Sequence, residues 1–169
     1  MRLDAEQTPR YNTLMRTYTT RTSEETRSLA TTLGALLGPG DVILLCGELG
    51  AGKTTFVQGL AEGLGVRMEV TSPTFTLLQE YAGARLPLFH FDAYRIERPA
   101  EIADLGFDEY LERGGVVVVE WAERLGWLTP EEYLWVNIVL CPDGNRKIIL
   151  EPFGSRYEAL LRQWEAETC

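Results

Sequence analysis

The feature that most constrains the fold is a glycine-rich run between a short apolar segment and an amphipathic one. Residues 47–54 read GELGAGKT and match the pattern GxxxxGK[ST], the phosphate-binding loop or P-loop. The run follows Val42–Cys46, which has the composition of a buried strand. Phe56, Leu60 and Leu64 come after it at a spacing that predicts a helix. A strand, a glycine loop and a helix in this order are typical of a parallel α/β sheet, so we expect a nucleotide site where the strand ends.

The residue types in this loop suit a phosphate group. Gly47, Gly50 and Gly52 allow the backbone to bend until its N–H groups face phosphate oxygens, and the next helix directs its positive end at the same anion. Lys53 adds a charge for the β- and γ-phosphates, and the Thr54 hydroxyl is a suitable ligand for Mg²⁺. The loop residues predicted to contact the nucleotide are Glu48, Leu49, Gly50, Ala51, Gly52, Lys53, Thr54 and Thr55.

Strands and helices alternate along most of the chain. We predict strands at 75–81, 86–91 and 116–119, short helices at 99–105 and 107–111, a hairpin at 135–140 and 147–150, and longer helices at 23–37 and 155–165. This order predicts a three-layer α/β domain of the P-loop NTPase type with a mixed, mostly parallel sheet. Residues 1–21 are polar and rich in threonine, and we predict a flexible N-terminal tail there.

Composition argues against several classes of protein. The chain has 169 residues, which suits one domain, and 16 basic against 25 acidic residues give a formal net charge of −9. A protein that grips nucleic acid normally carries a basic face. The longest apolar run, Val42–Cys46, is far shorter than the roughly 20 residues of a membrane helix. Cys46, Cys141 and Cys169 show no zinc-ligand spacing. We therefore predict a cytoplasmic protein that binds neither membrane nor zinc.

Two acidic residues are candidates for the metal sphere and the attacking water. Asp92 follows the strand at 86–91, and Glu120 follows the strand at 116–119. Ligands of open α/β sheets bind at the carboxyl ends of the strands, so we expect both acids to line one site. Together with Lys53 they are the predicted catalytic residues, and which acid contacts Mg²⁺ stays open. His90, the single histidine, shares a strand face with Asp92 and is interpreted as structural.

The sequence TSPT at residues 71–74 has two readings. On spacing alone it is a Ser-Pro turn that enters a strand. A threonine in such a loop, here Thr74, can instead reach the metal or the γ-phosphate, as ordered switch segments of GTPases do.

These motifs together resemble the TsaE family, small bacterial ATPases that assist synthesis of threonylcarbamoyladenosine on tRNA. The resemblance covers about residues 22–140 and rests on GELGAGKTT at 47–55, SPTF at 72–75, HFDAYR at 90–95, LG at 105–106 and EW at 120–121. The departures from the family pattern are Ala93, where a larger apolar residue is common, and the long segment before Thr22.

The resemblance implies a single P-loop ATPase domain over residues 22–169 that binds ATP and Mg²⁺. Thr54, Asp92 and Glu120 would surround the metal and the attacking water. Residues 72–74 would then form a nucleotide-sensing switch, with Thr74 at the nucleotide.

The resemblance also implies where the adenine lies and which partners the chain has. Thr26 or Thr22 would approach the adenine. The family's partners are the TsaB–TsaD pair, in which TsaD carries the transferase chemistry, so tRNA would be reached only indirectly through that complex. Neither the P-loop nor residues 72–74 contain an arginine, and Arg95 is the candidate in cis. Because a missing catalytic arginine costs roughly 10³–10⁵ in rate, we expect slow hydrolysis alone and faster hydrolysis with partners.

Other functions compete with this reading. A nucleoside or nucleotide kinase is also a small P-loop protein, but it needs an acceptor pocket and usually an arginine-bearing lid. A GTPase is disfavoured because no NKxD-type tetrapeptide follows the P-loop. A third hypothesis is a binding module that depends on nucleotide and has little turnover. It overlaps with the ATPase hypothesis, because such an ATPase would use its cycle to change the state of its partners.

Overall fold

The computed structural model describes residues 14–168 as a sheet of seven strands with helices on both faces. The strands are β1 (Arg16–Thr20), β2 (Val42–Cys46), β3 (Leu78–Tyr81), β4 (Leu88–Asp92), β5 (Val116–Glu120), β6 (Tyr133–Leu140) and β7 (Arg146–Phe153). The helices are α1 (Ser23–Gly34), α2 (Lys53–Gly63), α3 (Ala100–Ala103), α4 (Phe107–Leu111) and α5 (Ser155–Thr168), and short 3₁₀ turns cover Ala122–Arg124 and Gly126–Leu128.

The strand order across the sheet is β1-β7-β6-β2-β5-β4-β3. The four central strands, β6, β2, β5 and β4, run parallel, whereas the outer pairings β1–β7, β7–β6 and β4–β3 are antiparallel. The fold is therefore the predicted three-layer α/β architecture with a mixed sheet and a parallel centre. Because β2 lies between β5 and β6, the loop that follows β2 lies in the middle of the sheet edge formed by the carboxyl ends of the parallel strands.

Both faces of the central strands are buried. Ile43 and Leu45 of β2 pack in the layer formed with α1, α2 and α5, whereas Val42 and Leu44 pack in the layer formed with α3 and α4. All five residues of β5 are buried, which explains its unbroken run of valines. Among residues 14–168, no helix is both long enough and apolar enough to cross a bilayer.

The N-terminal tail prediction is wrong for its last residues. Arg16–Thr20 forms β1, which pairs antiparallel with β7 at the edge of the sheet. The Tyr18 ring lies 5.0 Å from the Trp164 ring, centroid to centroid, and so fastens the strand to α5. Threonine suits a strand, and this segment gains its order from β7, which lies far away in sequence. Residues 1–13 of the predicted tail lie outside the described residues.

The predicted strand at 75–81 is shorter in the structure. β3 begins at Leu78 because the residues before it form a turn, closed by a hydrogen bond of 2.8 Å from the Leu77 N–H to the Pro73 carbonyl. Leu77 itself has a φ of 64°, a left-handed value that a strand does not allow.

Candidate nucleotide site

The P-loop joins the end of β2 to the start of α2. Gly47 has a φ of 148°, and a Cβ there would lie 2.5 Å from the carbonyl oxygen of Ile138 in β6. Gly52, just before α2, has a φ of 110°. Both positions therefore need glycine, one because β6 leaves no room and the other because of its left-handed backbone.

Lys53 is the first residue of α2 and lies inside the loop that precedes it. Its side chain donates hydrogen bonds to the carbonyls of Gly47 at 2.6 Å and Glu48 at 2.9 Å, and its Nζ lies 4.3 Å from the centre of the Trp121 ring. Burial lowers the pKa of Lys53, while the nearby carboxylates of Glu120, Glu123 and Asp92 oppose that shift. The ammonium group is thus held by backbone carbonyls where a phosphate would offer stronger, charged acceptors.

The two candidate acids are brought together as predicted. Asp92 and Glu120 are paired residues at the carboxyl ends of the parallel strands β4 and β5. Each is only 2% exposed. Buried carboxylates need hydrogen-bond donors, and each of these two has several.

Glu120 is bonded through both of its carboxylate oxygens. Thr54 Oγ1 donates to Oε1 at 3.1 Å, while His90 Nε2 lies 2.8 Å from Oε2 and Ser72 Oγ lies 3.3 Å from that same oxygen. Burial pushes the pKa of Glu120 upward, but the hydrogen bonds and charges of His90, Thr54 and Lys53 outweigh burial and lower the pKa. Glu120 is therefore ionised, and His90 Nε2 is the donor.

Asp92 holds the 71–77 loop against the site. Ser72 Oγ donates to Asp92 Oδ2 at 2.5 Å, and Thr74 Oγ1 lies 3.3 Å from the same oxygen. The backbone N–H of Tyr94 donates to Oδ1 at 2.9 Å. The side chain of Asp92 thus links the 71–77 loop to the end of β4.

These groups surround one crevice of about 530 Å³. Of the predicted site residues, those that line it are Leu49, Gly50, Gly52, Lys53, Thr54, Thr55, Thr74, Asp92 and Glu120. The other two loop residues do not line it: Ala51 is buried, and Glu48 is exposed. Phosphate-binding loop, acids and hydroxyls therefore converge on a volume that suits a nucleotide.

Comparison with known proteins identifies the family. The family model described as "Threonylcarbamoyl adenosine biosynthesis protein TsaE" matches residues 20–148. The chain belongs to the TsaE family. A relative from Bacillus subtilis, named tRNA threonylcarbamoyladenosine biosynthesis protein TsaE, is 47% identical over 140 residues, covering 83% of this chain and 87% of the relative. A relative of the same name from Treponema pallidum is 45% identical over 128 residues, covering 76% of this chain and 94% of the relative.

A solved structure agrees with the TsaE assignment in fold. The crystal structure of Bacillus subtilis YdiB matches this chain with a TM-score of 0.82 and 39% sequence identity. The match covers 92% of this chain and 97% of YdiB. The α/β fold class predicted from the sequence is thereby confirmed.

One residue that the TsaE resemblance had assigned to the adenine lies elsewhere. Thr26 is fully buried in α1, and its hydroxyl lies 2.6 Å from the hydroxyl of Thr20 in β1. It does not line the crevice, so the prediction that Thr26 contacts the nucleotide is not supported. The alternative, Thr22, is exposed and caps α1 by accepting a hydrogen bond of 3.1 Å from the Glu25 N–H.

Sequence reasoning missed Arg146. It is the first residue of β7 and lines the crevice beside Gly52 of the TsaE P-loop. It follows a turn after β6, outside every motif that carries the family resemblance. Only the pairing of β7 with β6 and β1 brings it to the P-loop, so no local pattern indicated that position.

Proposed function

We propose that this TsaE-family chain binds ATP with Mg²⁺ and hydrolyses it in the cytoplasm, and that it assists formation of threonylcarbamoyladenosine on tRNA through a TsaB–TsaD-type complex. The observation that carries the ATPase part is the hydrogen bond of 3.1 Å from Thr54 Oγ1 to Glu120 Oε1. It joins the P-loop hydroxyl that suits Mg²⁺ to a buried, ionised carboxylate on the neighbouring strand.

The residues of the crevice fit a magnesium ion. In nucleotide sites Mg²⁺ is usually held by one or two carboxylates together with waters and phosphate oxygens. Thr54 and Glu120 supply oxygens that already touch, and Asp92 lies beside Glu120 on the next strand. We assign Thr54 and Glu120 to the ion and its waters, and Asp92 to the outer sphere, where it also holds Ser72. When bound, the ion would withdraw charge from the β- and γ-phosphate oxygens.

The chain's own groups account for the remaining requirements of hydrolysis. Lys53 would exchange its two carbonyl partners for phosphate oxygens and so neutralise developing charge. Glu120 would orient the attacking water by accepting a hydrogen bond from it, because its lowered pKa keeps the carboxylate ionised. The 71–77 loop would sense the γ-phosphate, since the same Ser72 hydroxyl reaches both acids.

The surface around the crevice supports a protein partner. Leu49 is 75% exposed and Phe75 is 84% exposed, and both line the crevice. Large apolar side chains exposed together at a site are typical of an interface. The net charge of −9 supports the view that tRNA is reached only through the complex.

The test is ATP hydrolysis and MgATP binding by the full chain and two variants, each with and without TsaB and TsaD. Lys53→Ala loses a charged phosphate contact of roughly 1.5–3 kcal/mol, so its ATP affinity and turnover should fall while it stays folded. Glu120→Gln should keep MgATP binding, because Thr54 and the P-loop still hold the ion and the phosphates, but lose hydrolysis by about 100-fold, because the amide keeps the shape and loses the charge that orients the water.

Glu112→Gln is the matched control, because Glu112 is exposed, does not line the crevice and is not among the carboxylates that act on Lys53. It should behave like the wild type. Full hydrolysis by Glu120→Gln would refute the role of that acid. ATP consumption that rises when a nucleoside is added, with phosphate transferred to it, would favour the kinase reading instead.

A further inference from the structure

The side chain of Arg146 is anchored on the P-loop. Its Nε donates a hydrogen bond of 2.9 Å to the carbonyl of Ala51. A Cβ added at Gly52 would lie 3.3 Å from the same Nε, so the guanidinium lies directly against the loop backbone just before α2. This anchor holds a half-buried cation in the wall of the crevice.

The terminal nitrogens of Arg146 keep their hydrogen-bonding capacity. Within residues 14–168 the guanidinium makes no ion pair, and its Nη atoms have no hydrogen-bond partner. Other arginines of this acidic chain do pair with a carboxylate: Arg16, Arg27, Arg113 and Arg156. A positioned guanidinium with a free fork suits a phosphate group, which it binds through two parallel N–H donors.

The sheet order decides which part of a nucleotide Arg146 faces. β5 and β4, which carry Glu120 and Asp92, lie on one side of β2. β6 and β7 lie on the other side, so Arg146 reaches the P-loop from the flank opposite both acids. The terminal phosphate must lie near the acids and the 71–77 loop, so the opposite flank faces the phosphates that are not transferred.

We infer that Arg146 is a nucleotide-binding residue that contacts the nucleoside-side phosphates of the bound nucleotide and takes no part in cleavage of the terminal one. The inference rests on the proposed nucleotide site but does not depend on hydrolysis. It separates Arg146 from a catalytic arginine, which would act on the transferred phosphate and raise kcat.

The experiment measures ATP and ADP binding to the full chain by isothermal titration at fixed Mg²⁺, and kcat at saturating ATP, for Arg146→Ala and Arg146→Gln. Arg146→Ala should raise the Kd of ATP and of ADP by the same factor, about tenfold. Its kcat should change by less than about twofold, because a contact made equally in the ground and transition states changes only binding.

Arg146→Gln separates phosphate binding from support of the loop. Its amide N–H₂ is still a donor for the Ala51 carbonyl but carries no charge, so we expect the same loss of affinity as in Arg146→Ala. Wild-type affinity in Arg146→Gln would mean that Arg146 only supports the loop, and would overturn the inference. Unfolding temperatures are measured alongside, and Arg146→Gln carries the test if Arg146→Ala does not fold.

Lys147→Ala is the matched control for charge. Lys147 is the next residue of β7, is exposed and does not line the crevice, so its removal should leave both Kd values unchanged. If Lys147→Ala raised both Kd values as much as Arg146→Ala does, the loss of affinity would come from the overall charge of the protein, and a direct contact between Arg146 and the nucleotide would be refuted. A loss of affinity for ATP but not ADP, or a loss of kcat alone, would place Arg146 at the transferred phosphate and also overturn the inference.

The two proposals fail in different ways. A wild-type chain that binds neither ATP nor ADP contradicts the proposed function. If the wild type binds both nucleotides, and Arg146→Ala binds them with the same Kd values, only the role of Arg146 is contradicted.

Discussion

At the residue scale, the site depends on a carboxylate that is buried yet ionised. Burial alone would neutralise Glu120, but donors on both oxygens keep its pKa low. His90 is the donor whose position is best defined, because its ring is fully buried and its Nε2 lies 2.8 Å from Oε2. Its Nδ1 has no hydrogen-bond partner among the described residues, so Glu120 is the polar group that the ring serves. His90 is thus better described as a positioning residue than as a purely structural one.

Replacing His90 should reduce turnover more than binding. His90→Leu fills the space without a donor, which leaves Glu120 free to rotate, and we expect kcat to fall by about 10- to 100-fold, with the Kd of MgATP nearly unchanged. His90→Gln retains an N–H donor and should recover most of the rate. Steady-state kinetics and equilibrium binding of both variants measure this split.

A substitution of Leu88 controls for packing in that experiment. Leu88 lies two residues before His90 on the same face of β4 and is fully buried, with no contact to Glu120. Leu88→Val should lower stability slightly and leave kcat unchanged. Equal rates for His90→Leu and the wild type would show that Glu120 needs no support from His90.

At the element scale, strands distant in sequence complete the site that the P-loop begins. β4 and β5 supply the acids, β6 shapes the backbone at Gly47, and β7 supplies Arg146. β1 covers the far edge of β7, so its pairing supports the strand that carries the arginine. The pairing of β1 with β7 therefore helps to hold Arg146 in place, although no residue of β1 lines the crevice.

Tyr18 provides the test of β1. Its half-buried ring packs on the buried ring of Trp164, so Tyr18→Ala should lower the free energy of unfolding by roughly 1–3 kcal/mol. Thr17→Ala and Thr19→Ala remove exposed neighbours and should change it by less than about 0.5 kcal/mol. Chemical denaturation of the full chain measures all three. No effect of Tyr18→Ala would mean that residues 16–20 add nothing to stability, as expected of a tail.

At the scale of the whole molecule, an acidic surface carries exposed apolar side chains at the mouth of the crevice. Phe75 belongs to the 71–77 loop, and the Arg95 guanidinium lies 4.4 Å from the centre of its ring. Asp92 ties this same loop to the site through Ser72. A partner that docks on Phe75 would therefore act directly on the 71–77 loop, and under the proposed function this contact would change the rate of hydrolysis.

We expect the isolated chain to hydrolyse ATP slowly and the TsaB–TsaD pair to accelerate it. Phe75→Ser should weaken this acceleration, because the exposed ring is lost from the docking surface. Trp127→Ser is the control, since Trp127 is 70% exposed but does not line the crevice. Hydrolysis rates titrated with the purified pair measure the effect. Rapid hydrolysis by the chain alone, unchanged by the pair, would contradict partner activation.

Much of the site was predictable because its functional residues lie within short, continuous stretches of the sequence. The spacing of Gly47–Thr54 requires only local backbone geometry, and Asp92 and Glu120 stand where apolar strands end. The 71–77 loop was ambiguous from spacing alone, since a Ser-Pro turn and a sensing loop have the same local pattern. Its contacts with Asp92 remove that ambiguity about its position, although the sensing role stays a prediction.

The sequence by itself determined the P-loop, the alternation of strands and helices, and the acids at the strand ends, because each depends on neighbours within a few residues. Only the tertiary structure decided that residues 16–20 form a strand, that Thr26 is buried away from the crevice and that Arg146 lies on the P-loop. Each of these depends on pairings between segments far apart in the chain. The threonines of residues 16–20 suit a strand but do not decide it, because the strand with which they pair lies far away in sequence, and a lone arginine after a turn carries no local signal.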